Sequence, residues 1–223
     1  SAMPLRTARR LCPHGVYLTG HSRLYHEYSR RLMALLDEYS PLVEQMGLDE
    51  AYIDLTGTER LFGPPVQTAR LIQRRVTEEL ALSISVGLAT NKLVAKVASD
   101  FHKPAGFTVV PPGQEEEFLA PLPVERLPGV GPNLLERLHD RGVLTVGDLA
   151  RIPAHLLRLS FGETGELLAH RARGEDLRRV TPYEEVKSIS REHTFDEDVS
   201  DAGLLESTLV SLTEDVCRRL RRR

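Results

Sequence analysis

The chain has 223 residues, a length that allows one large domain or two small ones. Hydrophobic residues make up 41% and charged residues 27%, as in ordinary globular proteins, and no apolar run approaches the roughly 18 residues that a membrane span needs. The net charge of −3 argues weakly against a nucleic-acid partner, although clustered basic residues can still form a basic groove.

The first half of the sequence alternates patterns typical of helices and of strands. Apolar residues recur with a helical period over 65–80, whereas 51–56 and 82–88 alternate apolar and polar residues. The same reasoning predicts helices over 4–11, 22–38, 65–80 and 91–101, and strands over 16–18, 41–46, 51–56, 82–88 and 107–110. This order predicts an α+β layer of mixed order, with helices covering one face of a sheet.

A different pattern begins after 111–113, where Pro-Pro-Gly predicts a domain boundary. No strand is predicted from there to about Ser188, and the short helices expected are 114–119, 132–141, 145–150, 153–160 and 163–173. Thr181-Pro182 predicts a second boundary, and a long helix follows over 201–223. Its apolar positions need a covering surface, which favours a piece of a longer protein.

Asp49 and Glu50 are adjacent carboxylates at the polar tip between two predicted strands. Mg²⁺ takes oxygen ligands and needs only one or two protein carboxylates when substrate phosphates supply others. Neighbours on a regular strand point to opposite faces, so the pair can share a site only if the backbone is irregular, which Gly47 permits. The pair indicates either a divalent-metal site or an ordinary solvated turn.

Lysines are rare in this sequence, yet Lys92, Lys96 and Lys103 fall within twelve residues. Spacings of four and seven place them on one face of a predicted helix. Lys103 precedes Pro104 at the helix end, where a cation is electrostatically favoured and a flexible ammonium can hold a phosphate. The alternative is a solvated helix face.

Residues 127–131 read Leu-Pro-Gly-Val-Gly and precede a predicted helix. Two glycines so close together turn the backbone tightly and leave N–H groups uncovered at a helix N-terminus, which favours an anion. With Thr145 capping the next helix, the arrangement resembles a helix-hairpin-helix, which holds a nucleic-acid backbone without reading bases. A tight structural turn is the alternative.

Together these segments resemble the motifs of the Y family of DNA polymerases, the translesion enzymes, of the DNA polymerase IV type. The matching segments, in order, are 3–13 for the end of the fingers, 48–56 for the palm, 85–100 followed by 103–106 for the second signature, 127–131 for the thumb hairpin, and 186–189 for the linker to the little finger. The resemblance implies an α+β fold divided into the end of the fingers (1–21), a partial palm with a mixed sheet (22–110), an all-helical thumb with a helix-hairpin-helix (111–180), a linker (181–187) and the first helix of a little finger domain (188–223).

The resemblance also implies roles for the site residues. Asp49 and Glu50 would bind metal, with Glu50 as the catalytic carboxylate, and Lys103 would hold the incoming triphosphate. A primer 3′-hydroxyl would attack the α-phosphate of a dNTP while two Mg²⁺ ions clamp the entering and leaving oxygens.

The implied partners are primer-template DNA and dNTP. A DNA phosphate would lie on the backbone of Gly129, Val130 and Gly131, and a sliding clamp is expected for the intact parent. No membrane partner is expected. Two cysteines without metal-ligand spacing and the lack of a signal-peptide pattern favour a cytoplasmic setting.

The sequence departs from the family pattern at both ends. The family begins with a strand that carries a further metal-binding Asp and an aromatic gate against ribonucleotides, and it ends with a little-finger sheet and a clamp-binding tail. We therefore expect a fragment, truncated at both ends, that is inactive by itself. The alternative is a non-catalytic DNA-binding or scaffold module derived from the family, against which the intact Asp49-Glu50 pair argues.

Overall fold

Eleven α-helices, four β-strands and one short 3-10 helix (Val124–Arg126) are assigned in the computed structural model of this protein, which describes residues 3–182 and 187–222. The chain divides into two units, Ser1–Pro182 and Tyr183–Arg223. In the first unit the elements are α1 (Leu5–Leu11), α2 (Ser22–Asp37), β1 (Val43–Gln45), β2 (Ala51–Ile53), α3 (Glu59–Phe62), α4 (Pro65–Leu80), β3 (Val86–Leu88), α5 (Lys92–Phe101), β4 (Phe107–Val109), α6 (Glu115–Leu119), α7 (Pro132–His139), α8 (Val146–Ala150), α9 (Ala154–Phe161) and α10 (Glu163–Ala172), and the second contains α11 (Ala202–Leu220). Helices and short strands thus share the chain as an α+β protein.

The strands form two separate ladders of two strands each in the part of the chain that the structure describes. β1 and β2 are antiparallel, with Val43 opposite Ile53. β3 and β4 are parallel, with Val86 opposite Phe107, and α5 makes the crossover that a parallel pair requires. The expected sheet is therefore present as two parts, and each strand has a hydrogen-bonded partner on one edge.

Several expected strands are shorter or missing. Residues 16–18 form no strand, because Val16 and Leu18 are 85% and 86% exposed and have no packing surface. The strand expected over 82–88 is limited to Val86–Leu88, although Leu82 and Ile84 still pack on the core. No strand occurs near Ser188 within residues 187–222.

The apolar stripe of α4 packs against α2 and the β1–β2 ladder to form one core. Ala69, Ile72, Val76 and Leu80 are buried at the positions that the helical period predicts. This core fixes the base of the hairpin that carries Asp49 and Glu50 at its tip.

A second core joins α5 to the helices that follow it. Leu93, Val94 and Val97 of α5 are buried together with residues of α6 to α10 such as Leu119 and Leu168. α5 also lies close to β3, because a Cβ atom added to Gly87 would be 2.0 Å from the carbonyl oxygen of Ala95. Helix α5 therefore packs against the β3–β4 ladder on one side and against helices α6 to α10 on another.

Residues 114–174 form no strand, as expected, and contain only an isolated bridge between Pro123 and Thr145.

The second unit consists of an extended segment and α11. The Asp201 side chain accepts a hydrogen bond from the Leu204 N–H and caps the helix. Arg191 lies 3.7 Å from Asp215, which ties the extended segment to the helix. The four residues 183–186, and with them Val186 of the predicted linker, lie outside the described residues.

Candidate functional site

Asp49 and Glu50 lie at the tip of the β1–β2 hairpin. The Met46 N–H donates to the Glu50 carbonyl at 2.8 Å, and Gly47 has a φ of 134°, which a residue with a side chain rarely adopts. The Gln45 side-chain amide donates a hydrogen bond to the Gly47 carbonyl at 2.6 Å and so stabilises the turn. Both carboxylates are exposed, as ligands for a diffusing cation must be.

A cavity of about 450 Å³ lies between the two ladders and brings the expected metal and triphosphate residues together. Asp49, Glu50 and Lys103 all line it, and so does Lys96. Backbone and side chains of β2 and β3 form much of the remaining wall. Asp49 and Glu50 are separated from Lys96 and Lys103 by more than 40 positions in the sequence, yet the fold places all four around the same cavity.

Lys96 connects the hairpin tip to helix α5. Its ammonium donates a hydrogen bond to Glu50 Oε1 and lies 3.5 Å from Asp100 Oδ2, while Lys103 Nζ lies 2.6 Å from Asp100 Oδ1. Burial lowers the pKa of Lys96, but the hydrogen bond to Glu50 and the attraction of Asp100 outweigh it, so the pKa is raised overall. Glu50, Lys96, Asp100 and Lys103 therefore form a row of alternating charges, of which Glu50, Lys96 and Lys103 line the cavity.

The pKa of Asp100 reflects its two cationic neighbours. Burial would raise it, but the hydrogen bond from Lys103 and the charge of Lys96 lower it overall. Asp100 stands four residues after Lys96 and three before Lys103, and these helical spacings could have identified it from the sequence. The sequence reasoning missed it because it considered only the lysines.

Gln73 on α4 holds the loop that follows Lys103. Its side-chain amide lies 3.0 Å from the carbonyl oxygens of both Ile84 and Gly106, and 3.2 Å from that of Ala105. One side chain thus ties the loop after Lys103 to the segment leading into β3. No local sequence pattern marks Gln73, because its partners lie 11 to 33 residues away.

Lys92 does not join Lys96 and Lys103 at the cavity. Its ammonium lies 2.6 Å from both carboxylate oxygens of Glu44 on β1, and both side chains are buried. The expectation that three lysines form one phosphate-facing or solvated surface is therefore wrong for Lys92. The helical spacing places Lys92 near Lys96 on the side facing the hairpin, but at the N-terminal end of α5 that side is covered by the chain around 179–181.

In the 127–131 turn, two of the three backbone N–H groups expected to bind an anion are available to do so. Gly129 has a φ of 103°, and both Gly129 and Gly131 are exposed, with no acceptor for their N–H groups within residues 3–182. The Val130 N–H instead donates to the Leu127 carbonyl at 3.1 Å. An anion at this turn would therefore meet the two glycine amides.

Arg171 on α10 stabilises the same turn. Its guanidinium donates to the Pro128 carbonyl at 2.8 Å, and a Cβ atom added to Gly129 would lie 2.5 Å from Arg171 Nη1. Burial and the nearby Arg178 lower the pKa of Arg171, which remains a cation at neutral pH. No local sequence pattern indicates this contact, because it joins residues 43 positions apart.

A capping box forms at the N-terminus of α8, the second helix after this turn. Thr145 accepts from the Asp148 N–H, and the Asp148 carboxylate accepts from the Thr145 N–H at 2.8 Å. These hydrogen bonds lower the pKa of Asp148 to about 2. The cap expected at Thr145 is confirmed, and it fixes the start of α8.

Neither a preformed metal cluster nor a membrane-spanning helix is found among the described residues. Residues 3–182 and 187–222 contain no group of three or more His, Cys, Asp or Glu side chains placed to hold a metal ion. Nor does any helix in these ranges have the length and apolar character to cross a membrane. Asp49 and Glu50 thus offer two carboxylates, and further ligands would have to come from elsewhere.

Family models match most of the chain in sequence order. Residues 1–100 match the impB/mucB/samB family, 125–176 match the thumb domain of DNA polymerase-iota, and 186–223 match the C-terminal domain of the impB/mucB/samB family.

Individual relatives and solved structures agree with these matches. The chain is 43% identical to DNA polymerase IV of Dehalococcoides mccartyi strain BAV1 over 223 residues and 45% identical to that of Desulfatibacillum aliphaticivorans over 222 residues. It spans 57% and 56% of these relatives, little more than half their length.

Among solved structures, DinB from Sulfolobus solfataricus superimposes with a TM-score of 0.73 at 30% identity, covering 81% of this chain and 53% of that one. An insertion ternary complex of Dbh DNA polymerase gives 0.72 at 30% identity, covering 81% of this chain and 53% of that one.

Proposed function

We propose that this chain, which belongs to the Y family of DNA polymerases, forms the palm and thumb of a template-directed translesion polymerase that adds dNMP to a primer 3′-hydroxyl. The observation that carries the proposal is the single cavity lined by Asp49, Glu50 and Lys103. It combines carboxylates suited to a divalent cation with an ammonium suited to a triphosphate. The proposed divisions are the end of the fingers (1–21), palm (22–110), thumb (111–180), linker (181–187) and the start of the little finger (188–223).

The carboxylates of Asp49 and Glu50 fit a pair of Mg²⁺ ions by their chemistry. They are exposed oxygen donors at the rim of a cavity, and Glu50 already attracts a cation in the form of the Lys96 ammonium. Bound Mg²⁺ would supply Lewis-acid stabilisation of the phosphoryl oxygens and of the attacking hydroxyl. The proposed part of Asp49 and Glu50 is to hold those ions at the hairpin tip.

The space between the ladders suits a further strand with a carboxylate of its own. Each ladder strand is paired on one edge, and the cavity separates β2 from β3. A strand placed there would join the two ladders into one sheet and bring a third carboxylate next to Asp49 and Glu50. We propose that the complete metal site contains such a strand.

Lys103 is proposed to hold the triphosphate of the incoming dNTP. Its side chain is 55% exposed and its ammonium is bound to Asp100, so the ammonium can exchange this surface partner for a phosphate at little cost. The loop that follows it is fixed by Gln73, which limits how far the ammonium can move. Lys103 thereby places the phosphates on the same side of the cavity as the carboxylates.

The thumb is proposed to hold the phosphate backbone of primer-template DNA at Gly129 and Gly131. Backbone amides contact phosphates whatever the base sequence, so binding would be non-specific. The chain by itself is expected to bind DNA without extending a primer, because its described residues gather two carboxylates rather than three. A sliding clamp would be a partner of the whole polymerase.

The test is primer extension by a chimera in which this chain replaces the matching 57% of the Dehalococcoides mccartyi polymerase. The chimera should extend a primer with Mg²⁺ and dNTP, and Asp49→Asn and Glu50→Gln should each abolish extension while DNA affinity stays within about twofold. Lys103→Ala should mainly weaken the apparent affinity for dNTP.

The control for folding is circular dichroism of each chimera. Extension by the Asp49→Asn chimera would overturn the site assignment. A folded chimera that binds DNA and never extends would favour the second candidate, a non-catalytic DNA-binding module.

A further inference from the structure

Lys96 occupies the position next to Glu50 that a cation would take. Its ammonium donates to Glu50 Oε1, and its side chain is only 28% exposed, so the pairing is partly shielded from water. A divalent cation that binds Glu50 therefore has to compete with the positive charge of Lys96. Lys96 occupies one oxygen of the carboxylate, and its positive charge repels a second cation at so short a distance, which favours displacement of Lys96 when the metal binds.

An alternative acceptor lies next to Lys96. Asp100 Oδ2 is 3.5 Å from its ammonium, one helical turn along α5, and the other oxygen of Asp100 holds Lys103 at 2.6 Å. A small rotation of the Lys96 side chain would exchange Glu50 for Asp100 without burying or exposing a new charge. Asp100 is thus placed to receive the ammonium that leaves Glu50.

We propose that Lys96 is a resident counter-ion of Glu50 that transfers to Asp100 when a divalent cation binds, so that the Lys96–Asp100 pair sets the affinity of the site for metal. This inference rests on the proposed metal-binding function of Glu50. Lys96 acts through Glu50 and is a positioning residue rather than a catalytic one. The transfer brings Lys96 closer to Asp100, which can then release Lys103 to the triphosphate, and this couples metal binding to nucleotide binding.

The experiment measures Mn²⁺ affinity of the 223-residue chain by electron paramagnetic resonance of free Mn²⁺, without nucleotide or DNA. Lys96→Met should raise the affinity by roughly twofold to fivefold, as expected for loss of a partly exposed ion pair that competes with the metal. Asp100→Asn should lower it by a similar factor, because Lys96 then stays on Glu50. Lys187→Met, in the Tyr183–Arg223 unit, removes the same charge and should leave the affinity unchanged.

The double variant Lys96→Met/Asp100→Asn distinguishes transfer from a general charge effect. If Asp100 acts through Lys96, Asp100→Asn has no further effect once Lys96 is gone. Effects that add in the double variant would overturn the proposal. Should Lys96→Met fail to fold by circular dichroism, Lys96→Gln removes the charge with a polar side chain and carries the same expectation.

Glu50→Gln separates this inference from the function on which it rests. If Glu50→Gln weakens Mn²⁺ binding while Lys96→Met leaves it unchanged, the counter-ion proposal is wrong and the metal site stands. If Glu50→Gln has no effect on Mn²⁺ binding, the metal site at Glu50 fails and the counter-ion role fails with it.

Discussion

Lys92 and Glu44 form a buried ion pair in which the ammonium lies 2.6 Å from both carboxylate oxygens. The pair also organises the chain after α10, since Glu44 accepts from the Thr181 N–H at 2.8 Å and Lys92 donates to the Arg179 carbonyl at 3.3 Å. Three segments far apart in sequence therefore meet at one pair of opposite charges. Its role is structural, whereas the exposed Lys103 is the lysine proposed to hold the triphosphate.

Replacement of Lys92 by methionine should destabilise the chain strongly. It leaves the Glu44 carboxylate buried without its cation, which typically costs about 3–5 kcal/mol of unfolding free energy. Urea denaturation followed by circular dichroism measures the change. Adding Glu44→Gln should recover part of the loss, because the amide oxygen can still accept from Thr181, and Lys187→Met serves as the surface control. A loss below about 1 kcal/mol would show that the pair is not structurally important.

DNA binding by the chain should depend steeply on salt and little on sequence. Arginines that neutralise phosphates release counterions from the DNA, so we expect affinity to fall by roughly tenfold or more between about 50 and 200 mM salt. Fluorescence anisotropy with two unrelated duplexes measures both properties. Affinity that stays constant over this range would contradict phosphate binding by the thumb.

Arg171→Met should weaken DNA binding by disordering the hairpin turn. The lost hydrogen bond to the Pro128 carbonyl corresponds to roughly 1 kcal/mol, or about fivefold in affinity. A direct phosphate contact would also lower the slope of log affinity against log salt by about one unit, whereas a residue that only supports the turn leaves that slope unchanged. Anisotropy titrations at several salt concentrations distinguish the two. We expect an unchanged slope.

Gly129→Ala should weaken DNA binding as well, for a different reason. The φ of 103° strains an alanine by about 1–3 kcal/mol, and its Cβ would collide with Arg171, so the turn must shift. Gly142→Ala is a matched control, because Gly142 also has a positive φ, 73°, but has open space where a Cβ would lie. Anisotropy should show a roughly fivefold or greater loss for Gly129→Ala. Equal losses for both variants would refute a special role for the hairpin.

The capping box at α8 should lose its stabilising effect only in strong acid. The pKa of Asp148 is lowered from 3.8 to about 2, so the carboxylate contributes stability above pH 3.8, and the contribution is lost as the pH falls towards 2. The backbone amide shift of Thr145, followed by NMR as the pH is lowered, reports the loss. Asp148→Asn should show no such transition. A midpoint near 4 would mean that the box is not formed in solution.

The sequence predicted the elements whose stabilising contacts are local. The helical period of 65–80 and the cap at Thr145 were correct because neighbouring residues determine them. The strand over 16–18 was wrong, since apolar alternation alone does not supply a pairing partner. A strand depends on distant hydrogen bonds that its own residues do not reveal.

The site was only partly accessible to sequence reasoning for the same reason. Asp49, Glu50 and Lys103 stood out as charged groups in recognisable patterns, and the fold gathers them around one cavity. Gln73 and Arg171 act through carbonyl groups far along the chain, and an amide or guanidinium of that kind has no signature. The burial of Lys92 depended equally on Glu44, 48 residues away.

The two short ladders have a consequence for the behaviour of the polypeptide in concentrated solution. Strands that are paired on one side present a row of amide and carbonyl groups on the other, and such rows recruit strands from neighbouring molecules. Self-association should therefore grow with concentration and begin at β1 to β4 rather than at the helical segment. Lysine substitutions at outward-facing positions of these strands should reduce self-association, because charged side chains on an edge strand oppose its pairing with another molecule.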